Sequence, residues 1–293
     1  MENSLLYLVT VLIWGSTWIA IRFQLGVVAP ELSIAYRFLL ASLLLFAFSA
    51  ARKLTLRFSR REHQFMALQG FFLFSLNYFL VYLATGYVTS GLVAVIFSSI
   101  IIFNVLFGAL FLKNPIRPAV ILGGVVGILG LGFIYWPELA GFELGSRAAL
   151  GLLLATGSAV SASMGNIISA RNQRNGLPVV QTNAWGMVYG GGFMLMVVLL
   201  RGTPITFEAS TGYIASLLYL SVFGSIVAFG TYLTLLGRMG ADRAAYVTVL
   251  FPVIALVLSI LFEGLELNTV QWAGVVLVPL GNVIALAKRK ATG

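Results

Sequence analysis

Ten long apolar runs follow one another along the chain with hardly a polar interval between them. They lie near Ser4–Ile21, Leu32–Ala51, Gln64–Ala84, Thr89–Leu112, Ala119–Trp136, Ala148–Ala170, Pro178–Leu200, Tyr213–Leu236, Ala244–Phe262 and Val270–Ala287. About 20 such residues in a helix match the hydrocarbon thickness of a bilayer. The runs are continuous rather than alternating, which predicts helices and excludes the strands of a transmembrane barrel. With connections of a few residues, consecutive helices become antiparallel neighbours. The expected fold is therefore an all-α integral membrane protein with ten transmembrane helices.

Composition agrees: 60% of residues are hydrophobic and 9% are charged, outside the range of a soluble domain. The absence of cysteine excludes disulfides and thiol chemistry. Met1-Glu2-Asn3 carries no basic region, so the first run reads as a retained helix rather than a signal peptide.

The net charge of +9 suggests nucleic-acid binding until its distribution is examined. Arg52, Lys53, Arg57, Arg60, Arg61, Lys113, Arg117, Arg171, Arg174, Arg238, Arg243, Lys288, Arg289 and Lys290 all fall on one side of the predicted membrane. Arg22, Arg147 and Arg201 fall on the other. Positive residues favour the cytoplasmic face, so both termini are expected inside. The basic excess orients the chain and touches lipid headgroups; nucleic acid is not an expected partner.

Placing residue n against n + 150 aligns the third to fifth runs with the eighth to tenth without gaps. Ser75/Ser225, Phe79/Phe229, Tyr82/Tyr232, Leu83/Leu233, Ala94/Ala244, Leu106/Leu256 and Val120/Val270 are identical, as is Gly124-Val125-Val126 against Gly274-Val275-Val276. Nearer the start of each half small shifts suffice, with Trp18-Ile19-Ala20-Ile21-Arg22 against Ile167-Ile168-Ser169-Ala170-Arg171 and Pro30 against Pro178. Five helices per copy is an odd number, so the second copy enters the membrane upside down. The chain divides into repeats 1–141 and 142–293, the inverted architecture of many secondary transporters.

The residues Trp14-Gly15-Ser16-Thr17-Trp18, Tyr36-Arg37-Phe38 and Leu250-Phe251-Pro252, followed by Glu263 and Gly274, resemble the drug/metabolite transporter superfamily, EamA type. The resemblance covers both halves. Its narrower form, to exporters of aromatic amino acids, implies an amino-acid substrate and outward transport. One departure is clear: the first-half equivalents of Pro252 and Glu263 are Ile102 and Lys113.

A charge at mid-span costs roughly 2.5–3.5 kcal/mol on insertion scales. Arg37 is the one charge within a run, and snorkelling or capping a neighbouring helix end is weighed above substrate contact. No acidic residue stands near a run centre, which argues against a carboxylate shared by proton and substrate. His63, in the basic inner connection, is expected to be solvated.

The deep polar groups are neutral and aromatic. Trp14 and Trp18 stand one turn apart; Asn77, Tyr78 and Tyr82 are placed on one helix face; Ser98, Ser99, Asn166, Tyr232, Tyr246 and Thr248 complete the candidate pathway. Each alone is explained by helix packing, and together they suit a central route. Pro252 is expected to kink the ninth helix. Gly123, Gly124, Gly127 and Gly130 form a small-residue face for close helix contact.

The function expected is export of aromatic or apolar amino acids by alternating access, without strong proton coupling. The alternatives are broad drug or metabolite efflux, phosphate-linked antiport, and an integral-membrane enzyme. The last lacks a cluster of titratable groups, and neither cofactor nor metal is expected.

Overall fold

The computed structural model describes residues 2–24, 26–88, 90–136, 140, 147–263 and 267–286. Side chains of several further residues, Trp18 and Glu263 among them, lie outside that description. Ten rods are present. The first is α1 (Asn3–Arg22), the second α2 (Pro30–Ala51). The third comprises α3 (Arg60–Gln69), a π-helical segment (Gly70–Leu76) and α4 (Asn77–Thr85). The fourth is α5 (Ser90–Phe97) followed by α6 (Ile100–Leu112), the fifth α7 (Pro118–Ile134).

The sixth rod is α8 (Arg147–Arg174) and the seventh α9 (Val179–Arg201). The eighth joins α10 (Thr211–Tyr219), a second π-helical segment (Leu220–Val227) and α11 (Ala228–Met239). The ninth is α12 (Ala241–Ala244) with α13 (Val247–Glu263), and α14 (Thr269–Leu286) is the tenth. Six rods meet both length and hydropathy for a membrane span among the described residues; α1, α7 and α14 contribute shorter apolar stretches.

Local chemistry sets the ends. Pro30 and Pro118 open α2 and α7, where a missing N–H costs nothing. Ser59 and Glu62 close a capping box on α3, with the Ser59 N–H donating to Glu62 at 2.5 Å. Gly202, at φ 64°, ends α9 in the left-handed region.

Contacts between the copies come in matched sets. α2 packs on α9 and α7 on α14, each rod against its own counterpart. The pair α1–α11 is answered by α8–α4, and α1–α13 by α8–α6. The two π-helical segments also correspond: Gly70–Leu76 moved by 150 falls on Leu220–Val227. A π-helical segment bonds i→i+5, as the Asn77 N–H does to Phe72 O. In the first copy Ser161 Oγ donates to Phe72 O at 2.7 Å, and in the second Trp14 Nε1 donates to Gly224 O at 3.3 Å. The sixth and first rods thus each donate to the π-helical segment of the other copy.

Both fourth and ninth rods are interrupted, at 98–99 and 245–246. In the ninth the helix runs on through Pro252, and the break lies earlier in the chain. Pro252 deprives Thr248 O of its helical donor, and Ser98 Oγ donates to that carbonyl at 3.3 Å instead. Thr248 N turns back to Ala245 O at 2.8 Å, tightening the preceding turn.

The bundle is apolar outside and buries polar side chains among its apolar core. Leu110, Leu153, Leu199 and Leu200 are exposed to the lipid side, whereas Thr10, Arg37, Asn104, Asn166 and Asn183 are buried.

Candidate functional site

Where α1, α2, the third rod and the second π-helical segment meet, a group of rings encloses one guanidinium. Trp14 lies 5.1 Å from Phe229 and 4.9 Å from Tyr232 between ring centroids. Phe74 is edge-on to Phe229 at 4.9 Å, and Phe38 to Tyr78 at 5.0 Å. Arg37 is 3% exposed and sits 4.8 Å from the Tyr78 ring centre. Its Nε donates to Ser225 Oγ at 2.9 Å, and its Nη2 to Gly224 O at 3.2 Å and Tyr78 OH at 3.4 Å.

The expected snorkelling is therefore not what Arg37 does: the side chain folds inward. The physical reason is Gly224. Its carbonyl accepts from both the guanidinium and the Trp14 indole. A Cβ at position 224 would stand 3.1 Å from Arg37 Nη2, so glycine keeps this approach open.

A second cluster joins the sixth, eighth and fourth rods. Asn166 Nδ2 donates to Tyr232 OH at 2.8 Å and approaches Asn104 Oδ1 at 3.5 Å. Asn166 Oδ1 is buried without a hydrogen-bond partner among the described residues. Asn104 Nδ2 donates to Ala241 O at 3.0 Å. Ala241 lines a cavity of about 390 Å³ together with Asn114, Gln173, Arg174, Thr234 and Arg238. The cavity lies at the basic ends of the rods and shares Ala241 with the Asn104 contact. Because Tyr232 touches both Asn166 and Trp14, the second cluster abuts the aromatic box.

The remaining candidates separate. Asn77 accepts from Ser158 Oγ at 2.7 Å and so faces the sixth rod, whereas Tyr78 faces Arg37 on the second. The shared face expected for Asn77 and Tyr78 is not observed, since successive helical residues point about 100° apart. Tyr82 is buried in the same core. Ser98 and Thr248 meet at the paired breaks, and the Ser99 hydroxyl has no partner among the described residues. Tyr246 OH donates to Val120 O and its carbonyl accepts from Asn282 Nδ2 at 3.3 Å, tying the ninth rod to the fifth and tenth. The Trp18 side chain lies outside the described residues.

His63 corrects another expectation. It is half-buried, its ring edge-on to Trp185 at 4.6 Å and its Nδ1 3.0 Å from Tyr189 OH. Asn104, Gly224 and Ser225 were not singled out from sequence. The Ser75/Ser225 identity at equivalent π-helical positions was the available signal.

Two stretches, residues 3–136 and 149–287, each match the EamA-like transporter family. The chain belongs to that family. Its helical membrane architecture and its class, a transporter of the drug/metabolite superfamily, follow. The EamA-like chain is 28% identical to the "Uncharacterized inner membrane transporter YedA" of Escherichia coli K12, over 94% of this chain and 90% of that protein. It is 28% identical to the "Uncharacterized transporter YvbV" of Bacillus subtilis, over 99% and 93%. It is 24% identical to "Protein PagO" of Salmonella typhimurium, over 98% and 93%. A solved crystal structure superimposes with a TM-score of 0.80 at 19% identity, covering 97% of this chain and 96% of that one, which confirms the fold.

Proposed function

We propose that this EamA-like transporter exports amino acids with aromatic or apolar side chains by alternating access. The observation that carries the reading is the aromatic box of Trp14, Tyr78, Phe229 and Tyr232 between the two copies. Rings on several rods offer an apolar seat, and the neutral Asn104, Asn166 and Tyr232 hydroxyl supply polar contacts beside it. The amino-acid class and outward direction rest on the resemblance to aromatic amino-acid exporters.

Tyr82 and Tyr232 occupy equivalent positions in opposite orientations, and we assign them to closing the outer and inner mouths. Trp14, Asn77, Ser98, Ser99, Tyr246, Thr248 and Pro252 belong to the pathway or to the rods that reshape it. Both termini face the cytoplasm, in keeping with the basic residues clustered at one end of the rods. Transport needs no proton partner, since the box described above is built without a carboxylate.

Flux of labelled phenylalanine and a panel of other amino acids in vesicles containing the purified protein tests this. Saturable flux down the substrate gradient, insensitive to an imposed pH difference, is expected. Strong uphill accumulation driven by protons, or flux of cationic dyes that phenylalanine does not compete with, overturns the reading in favour of broad efflux.

A further inference from the structure

We infer that Arg37 is the anchor for a carboxylate on the transported molecule, an inference that rests on the amino-acid reading above. Arg37 lies 3% exposed among rings and hydroxyls. Two other guanidinium groups pair with carboxylates, Arg117 with Asp242 at 3.6 Å and Arg201 with Glu31 at 3.3 Å, and Arg174, which bonds Leu112 O and Asn114, is exposed to water. Arg37 instead bonds only neutral oxygens among the described residues: Ser225 Oγ, Gly224 O and Tyr78 OH. Those bonds occupy Nε and Nη2 and leave Nη1 with none.

A guanidinium has five N–H donors in a planar fork that matches a carboxylate. Held away from water with neutral partners alone, such a cation lacks its strongest kind of partner. A carboxylate arriving from the aqueous side supplies one. The surrounding Phe38, Tyr78, Phe74 and Trp14 rings then take the apolar arm of the same molecule. The ligand class is a monocarboxylate with an aromatic or aliphatic arm, zwitterionic amino acids included. An amine without a carboxylate places a second cation beside the first and is refused. The repeat supplies no duplicate: the shift that pairs Pro30 with Pro178 sets Arg37 against Trp185, so there is one anchor per chain.

The test uses wild-type protein in vesicles carrying labelled L-phenylalanine flux. Competition by 3-phenylpropanoate is expected, with phenylalaninamide and phenethylamine weaker by about tenfold or more. Phenylalaninamide competing as well as phenylalanine overturns the anchor while leaving the exporter reading intact. If phenylalanine and its relatives are not carried at all, the exporter reading falls. The anchor is then judged by thermal stabilisation of the purified protein with 3-phenylpropanoate against 3-phenylpropanamide, and equal effects, including none from either, overturn it. Arg37→Lys should keep the preference for acid over amide, and Arg37→Gln should abolish it. Loss of folding in Arg37→Gln leaves the wild-type analogue series as the deciding measurement.

Discussion

Replacing Gly281 with alanine puts a methyl group in place of a hydrogen at a close backbone approach between two rods. A Cβ there would lie 2.5 Å from Gly123 O, 2.7 Å from Gly127 N and 3.0 Å from Gly127 Cα. Every one of these is a backbone atom of α7, so no side chain can rotate away and the two rods must part. Over-packing of this sort costs about 1–3 kcal/mol. Gly132, on the same rod α7, has nothing within 4 Å of its would-be Cβ. Gly132→Ala therefore removes a flexible residue without a clash and should be neutral or stabilising by up to about 1 kcal/mol. The two variants make one chemical change with opposite signs. Heat denaturation of both purified proteins in the same detergent measures it. At roughly 2–4 °C per kcal/mol, Gly281→Ala should melt several degrees below wild type, with Gly132→Ala at or above it. Equal midpoints for the two would refute the idea that backbone contact between α7 and α14 sets the stability of this pair.

Pro252→Ala restores an N–H opposite Thr248 O and competes with Ser98 for it; stability should rise by about 1 kcal/mol while flux slows, and unchanged flux would remove Pro252 from the moving parts. Tyr82→Ala and Tyr232→Ala should change half-saturation on opposite sides of the membrane, read in vesicles of known orientation; the same side affected in both would end their assignment to separate mouths. The protein has no cysteine, so Glu2→Cys and Gly293→Cys give clean labelling positions. An impermeant maleimide should reach both only from the cytoplasmic face, and modification in intact cells would reverse the orientation proposed.

Much of the architecture is legible in the sequence because lipid leaves few options: an apolar run of the right length is a helix, and its ends are marked by Pro30, Pro118 and Ser59. The n + 150 register was legible too, and it carries over to a feature no residue pattern announced, the two π-helical segments; the breaks, at 98–99 and 245–246, are three residues out of that register. These depend on carbonyls finding donors on other rods, such as Ser161 on Phe72 and Ser98 on Thr248, pairings far apart in the chain. Arg37 shows the limit most plainly. Its position inside a run was clear, but the direction of a long side chain is decided by which acceptor is free nearby. That acceptor, Gly224 O, belongs to a rod nearly 190 residues away in the chain. For His63, likewise, the basic neighbours pointed to water, while Trp185 and Tyr189 on the seventh rod decided otherwise.

A carrier made of two interchangeable halves would idle equally often open to either compartment. Here the π-helical segment of one half takes a cation and an indole from the other, and its twin takes a serine hydroxyl. If alternating access undoes both fastenings, their difference predicts a preferred resting posture for the empty protein. Such a bias leaves the final solute ratio untouched and sets which compartment loads it faster.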